Sequence, residues 1–203
     1  MPDGQDVPYE VNISLFDALQ GTISAGTDDF QVPRFLCAHT IMLGLEGIPG
    51  IYIHSLLATP NDHELVEATG RSRSINRHRW DLEEIEQALD DEQTPAARVF
   101  RELKRQIQIR SKQEAFHPNA TQYTLHFGDD VFAFWRESPS RNQCIFALHN
   151  ISNTARRIPL AELNLIADEL WGDLLTGTRY DDLSSMLELA PYQAVWISNQ
   201  NVG

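Results

Sequence analysis

Apolar residues recur at spacings of three and four over residues 32–46. Phe35, Leu36, His39, Met42, Leu43 and Leu45 fall along one side of a helix there, and Gly47 follows its end. Asp28 or Asp29 is placed to cap its start. The stretch 47–54 then runs short, apolar and β-branched without clean alternation, which predicts a strand covered on both faces in a parallel sheet. A long polar stretch, 55–80, follows, and loops of that length are functional or disordered. Residues 81–89 predict a short acidic helix. Thr94 caps a long amphipathic helix over 95–115, with proline in its first turn and Val99, Leu103, Ile107 and Ile109 in its stripe.

Near residue 118 the period changes. Residues 123–127, 131–136 and 144–149 alternate or run apolar over short lengths, and Gly128-Asp129-Asp130 makes a hairpin turn between the first two. Residues 169–175, 186–189 and 193–198 complete about six or seven strands. The predicted class is therefore α/β plus β. Residues 1–118 read as the last part of a β/α barrel, and 119–203 as an antiparallel β-sandwich. In such a barrel the working loops leave the C-terminal ends of the strands, which gives 55–80 its interest. The helix stripe and strand need neighbours. Left exposed, Leu36, Ile41, Leu43, Leu45, Ile51 and Ile53 would forgo on the order of 10 kcal/mol.

The 203 residues carry a net charge of −13 with 42% hydrophobic residues, a globular composition. That acidity argues against a nucleic-acid or anionic-membrane partner, since both need a basic patch. Cys37 and Cys144 lack metal-ligand spacing and read as small buried hydrophobes in a reducing, cytoplasmic setting. The first fifteen residues have no basic and apolar leader pattern, and no apolar run reaches membrane-span length. The sequons at Asn12, Asn119 and Asn150 read as chance matches.

Candidate chemistry is sparse. His54 ends the predicted strand, where barrel sites gather, although a packed, hydrogen-bonded histidine is the simpler reading. His63-Glu64 lacks the second histidine of the zinc-protease pattern, Glu67 standing in its place, so no metal is expected. Trp135, Trp171 and Trp196 could stack on sugars or pack the core. The stretch with Arg71, Arg73, Arg77, His78 and Arg79 would attract an anion, or be a solvated face.

Four stretches carry a family resemblance. Gly47-Ile48-Pro49-Gly50-Ile51-Tyr52 resembles the last barrel strand of the α-amylase superfamily, glycoside hydrolase family 13, and 191–197 resembles that superfamily's C-terminal domain. Pro8-Tyr9-Glu10-Val11-Asn12 resembles a mobile loop of the sucrose phosphorylase branch. Asn61-Asp62, followed by Gly70-Arg71-Ser72-Arg73-Ser74-Ile75-Asn76-Arg77, resembles that branch's second signature.

The resemblance implies a C-terminal part of a retaining glucosyl transferase that uses inorganic phosphate as co-substrate, with no organic cofactor and no metal. An Asp attacks the anomeric carbon while a Glu protonates the leaving oxygen, and phosphate then releases α-glucose 1-phosphate, a double displacement. Within this chain Arg73 matches the arginine that reaches the glucosyl hydroxyls, and Tyr9 and Glu10 match positions facing phosphate or acceptor. A glutamine can stand at the position of Glu10. Asn61, Asp62, Asn76 and Arg77 are expected to shape the loop, Arg77 through Asp62. In the family the nucleophile, the acid and the third aspartate lie upstream of the Pro8–Asn12 loop. None is expected here, and the N-terminal barrel portion is expected to be missing. The acceptor stays open among sucrose, sucrose 6-phosphate, glucosylglycerol and glucosylglycerate. The alternatives are a non-catalytic carbohydrate-binding or complementing fragment, and part of an α-glucosidase-type hydrolase.

Overall fold

A computed structural model describes residues 10–200. Ser14 caps the first helix, α1 (Leu15–Ala18), accepting a hydrogen bond from the Asp17 N–H at 3.1 Å. A small hairpin follows, β1 (Gly21–Thr22) against β2 (Gly26–Thr27). A Cβ on Gly21 would lie 1.9 Å from the Gly26 carbonyl oxygen, so only glycine fits that approach.

α2 (Gln31–Gly44) starts from Phe30 with no side-chain cap. Neither Asp28 nor Asp29 caps it as expected; Asp28 instead accepts from the Phe30 N–H at 2.9 Å and pairs with Arg34 at 2.6 Å. A guanidinium one turn into the helix is a stronger partner for that carboxylate than a terminal amide. Gly44 closes the helix because the sheet comes close: a Cβ there would be 2.8 Å from the Phe134 ring.

The predicted strand at 47–54 does not form. Gly47 takes a positive φ of 107°, the chain runs irregularly, and a single helical turn, α3 (Ile53–Leu56), follows. A buried parallel strand needs lateral partners for its amides and carbonyls, and no strand among the described residues lies beside it. Ile48 and Ile53 are exposed in consequence. The predicted stripe fares better. Leu43 is buried on the sheet, and Leu36, Ile41, Leu45 and Ile51 are half-covered, so of the six only Ile53 is exposed.

The long polar stretch is not a structureless loop. It folds into α4 (His63–Thr69), ended by left-handed Gly70, and a 3-10 turn at Ser72–Asn76. α5 (Leu82–Asp90) is capped by Asp81 and α6 (Pro95–Arg110) by Thr94. α6 ends five residues short of its predicted limit, and the chain turns through a 3-10 segment at Glu114–Phe116.

The second half contains β3 (Thr121–His126), β4 (Val131–Glu137), β5 (Cys144–Asn150), β6 (Arg156–Pro159), β7 (Trp171–Asp173), β8 (Arg179–Tyr180), β9 (Met186–Leu189) and β10 (Ala194–Ser198). Six form one antiparallel sheet in the order β3-β4-β5-β10-β7-β8, and β6 pairs with β9 alone. The two layers of strands are thus unequal, six and two. β6 escaped prediction because two arginines and a proline leave Ile158 as its one buried residue. β8 is two residues long and carries no period.

Alternation along the central strands assigns the two faces of the large sheet. Val131, Ala133, Leu148, Val195 and Ile197 pack against Ile158, Leu187 and Leu189 of the small pair. Phe134, Ile145, Ala147 and Trp196 pack against Leu43, Ala115 and Phe116 on the other side. A third cluster, Phe16, Val32, Phe35, Val99 and Leu103, joins α1, α2 and α6. Two arginines seal the seam between helices and sheet. Arg136, fully buried, donates to the Gly44 carbonyl (2.8 Å) and the His117 carbonyl (2.9 Å), and Arg110 donates to that of Leu43 (2.6 Å). They satisfy carbonyls that the end of α2 leaves open. Among the described residues no helix is long and apolar enough to cross a membrane.

Candidate functional site

The residues that carry the resemblance lie far apart in sequence, and the fold joins most of them. Asn61 is held from both sides: its Oδ1 accepts from the Ser14 N–H at 2.7 Å, and its own N–H donates to Asp17 Oδ2 at 2.8 Å. The stretch entering α1 is thereby fastened to the loop that leads into α4. Asp62 caps α4 through Leu65 N–H (2.7 Å), donates its own N–H to the Ile75 carbonyl (2.8 Å), and lies 2.7 Å from His78 Nδ1. The Leu65 amide, with His78 second, holds its carboxyl below the ordinary carboxylate value. The expected link from Asp62 to Arg77 is not made. The carboxylate is filled by an amide and by His78, and Arg77 points into solvent.

Ser74 is buried beneath the 3-10 turn, its hydroxyl 2.8 Å from that of Thr69. This fixes the turn on which Arg73 and Asn76 stand. Arg73 Nε donates to Glu10 Oε1 at 2.8 Å, across 63 residues of chain. Both side chains remain partly open to solvent. Tyr9 lies outside the described residues. Asn76 presents its carbonyl to the Tyr52 hydroxyl at 3.4 Å. Together with Ile13, Ser14, His54 and Thr59, Tyr52 and Asn76 line a cleft of about 180 Å³.

His54 is a hydrogen-bonded, half-buried residue, 3.2 Å from Thr59 Oγ1, which also accepts from Trp80 Nε1 at 3.0 Å. Burial first, and the neighbouring His78 second, push its pKa down. Among the described residues no group of three or more His, Cys, Asp or Glu is arranged to hold a metal ion. Trp171 and Trp196 are core residues, 4% and 0% exposed, and offer no sugar platform; Trp135 is half-buried and stacks on Tyr123 at 5.2 Å. Burial raises the pKa of the Cys37 thiol to about 12 and also lifts that of Cys144, which disfavours the thiolate in both. Sequence reasoning missed Asp17 and His78, the groups that hold Asn61 and Asp62. Neither sits in a periodic pattern that could have flagged it.

The helical layer and the antiparallel sheet together are similar in fold to parts of solved α-amylase-type proteins. The trehalose-6-phosphate hydrolase of Bacillus licheniformis superposes with a TM-score of 0.64 at 13% identity, over 94% of this chain and 42% of that one. A pullulanase from Anoxybacillus superposes at 0.61 and 16% identity, over 92% and 26%. These likenesses establish the fold alone. No protein-family model matches the chain.

Sequence relatives are more specific. A glucosylglycerate phosphorylase of Allomeiothermus silvanus is 37% identical over 97% of this chain and 32% of its own length. One of Escherichia coli is 34% identical over 97% and 33%. A sucrose phosphorylase of Bifidobacterium adolescentis is 27% identical over 86% and 30%. Over nearly its whole length the chain matches a C-terminal part of the sucrose-phosphorylase-like sugar phosphorylases. It spans about a third of the length of the curated relatives it matches.

Proposed function

We propose that this chain is the acceptor-side and C-terminal portion of a retaining sugar phosphorylase, with glucosylglycerate as the preferred glucosyl donor. The carrying observation is the junction of Glu10 with Arg73 on a loop fastened through Asn61 and Asp62, in a chain whose full-length matches bear that name. Relatives named for glucosylglycerol or sucrose 6-phosphate match only 53% and 57% of the chain.

In this reading residues 1–118 complete a β/α barrel, in which 47–54 would take its place as a strand. The barrel's N-terminal portion supplies the nucleophile, the acid and the stabilising aspartate. Arg73 holds glucosyl hydroxyls with its planar donor fork, and Glu10 orients that fork. Glu10 and Tyr9 flank the position where glycerate leaves and inorganic phosphate enters. No metal or organic cofactor takes part, and the site is cytoplasmic.

The test joins this chain to a barrel portion from a relative, by fusion or co-expression, and follows glucosylglycerate with inorganic phosphate present. Formation of α-glucose 1-phosphate supports the proposal. Free glucose alone would establish the hydrolase reading. Sugar binding without turnover would make the chain a binding fragment.

A further inference from the structure

α2, α6 and the loops 174–176 and 191–194 enclose a second cleft, of about 300 Å³. Every lining residue belongs to the helical layer or to the sheet domain of this chain. Space of that size holds about ten water molecules, hence a ligand of about ten heavy atoms.

Its floor is polar and built. Thr40 and Gln106 are 1% and 4% exposed. Thr40 Oγ1 lies 2.9 Å from Gln106 Oε1, and Gln106 Nε2 donates to Glu102 Oε1 at 2.9 Å. Glu102 also takes both arms of Arg105, at 2.9 and 2.6 Å, and Arg105 reaches the Leu175 carbonyl at 2.6 Å. Glu102 is thus neutralised and its oxygens are in use.

The unspent groups are donors. Arg98 lies one helical turn before Glu102 on the lining face of α6, and its guanidinium has no hydrogen-bond or ion-pair partner among the described residues. Gln193 accepts from the Ala190 N–H at 2.8 Å, which leaves its amide NH2 as a donor. Leu36 and Pro191 supply apolar wall. A mostly apolar cleft whose unspent polar groups are donors, above a compensated floor, favours negatively charged oxygen, although the chain as a whole is acidic.

We propose that this cleft binds a small oxyanion, a phosphate or carboxylate, whose charge is met by Arg98 and the Gln193 amide and whose body rests on Leu36 and Pro191. The site is separate from the Arg73–Glu10 loop, shares no residue with it, and does not rest on the phosphorylase reading.

The test is an amide-resolved 15N NMR titration of the chain with inorganic phosphate, with D-glycerate, and with glycerol as a neutral control. Saturable shifts are expected around Arg98, Thr176 and Gln193 with at least one anion and not with glycerol. The anion that saturates identifies the ligand class. Arg98→Gln, at an exposed position that the fold tolerates, should weaken binding at least about tenfold, Leu36→Trp should block it, and Arg73→Gln should leave it unchanged. Equal shifts with glycerol, no saturable shift at the cleft, or undiminished binding in Arg98→Gln would each overturn the proposal.

Discussion

Arg73 Nε and Glu10 Oε1 meet at 2.8 Å although 63 residues separate them, and each side chain keeps part of its surface in water. A pair this open contributes little to folding, about 1 kcal/mol or less. In the proposed function its value lies in aiming the guanidinium. If this chain joined to a relative's barrel portion is a phosphorylase as proposed, Arg73→Ala should lower its kcat/KM by about 10- to 100-fold, the worth of a charged hydrogen bond, while thermal melting of the chain moves little. Glu10→Gln, which keeps an acceptor oxygen, should cost less than Arg73→Ala. Steady-state phosphorolysis and melting curves of the same proteins check both. Loss of folding in Arg73→Ala would reassign the residue to a structural role.

His149 is fully buried against the sheet–helix seam, its Nδ1 3.0 Å from the Phe132 carbonyl oxygen and its ring stacked on Phe134. Burial outweighs that hydrogen bond and pushes its pKa down to about 4. The unfolded chain binds a proton on this histidine below about pH 6.5, the folded chain only below about 4. Its contribution is therefore complete above pH 6.5 and is lost as pH falls toward 4, by about 3 kcal/mol. Urea unfolding across that window should show the loss, and His149→Gln should flatten it. An unchanged slope in the variant would show that other groups carry the acid sensitivity.

Arg136→Ala should destabilise the chain by about 3–5 kcal/mol, because it empties a fully buried space and leaves the Gly44 and His117 carbonyls without donors. Arg136→Lys should rescue little, since one ammonium cannot reproduce the fork. Denaturant midpoints measure both. A shift under 1 kcal/mol for Arg136→Ala would mean that water replaces the guanidinium.

Asn150 should remain unmodified in a glycosylating host despite its sequon. It is fully buried, its Nδ2 donates to the Thr154 and Ala190 carbonyls (2.7 and 2.9 Å), and its Oδ1 accepts from Ser152. Mass spectrometry of the secreted chain reads this directly, and glycan at Asn150 would show that the loop is modified before it folds. Asn150→Ala should cost about 2–4 kcal/mol through the stranded carbonyls.

Local chemistry was legible wherever it acts within a few residues. Thr94 caps the helix it was expected to cap, and Gly128-Asp129-Asp130 turns the hairpin between β3 and β4. The resemblance singled out Glu10 and Arg73 as candidate site residues, but the contact between them was not legible. The anchoring of Asn61 by Asp17, and of Asp62 by His78 in place of Arg77, was invisible because hydrogen-bond partners 44 and 16 residues away leave no spacing to read.

By itself the sequence determined the helices over α2, α5 and α6, the strand-rich second half, the acidity and the family, because period, capping and motif are written in neighbouring residues. Only the tertiary structure decided the fate of 47–54, whose apolar, β-branched pattern demands a strand while its backbone finds no lateral partner. It also decided the unequal sheets and the buried places of Trp196 and Arg136. The reason is common to all of these. Hydrogen-bond satisfaction and burial depend on which distant surface arrives, and no local pattern encodes that arrival.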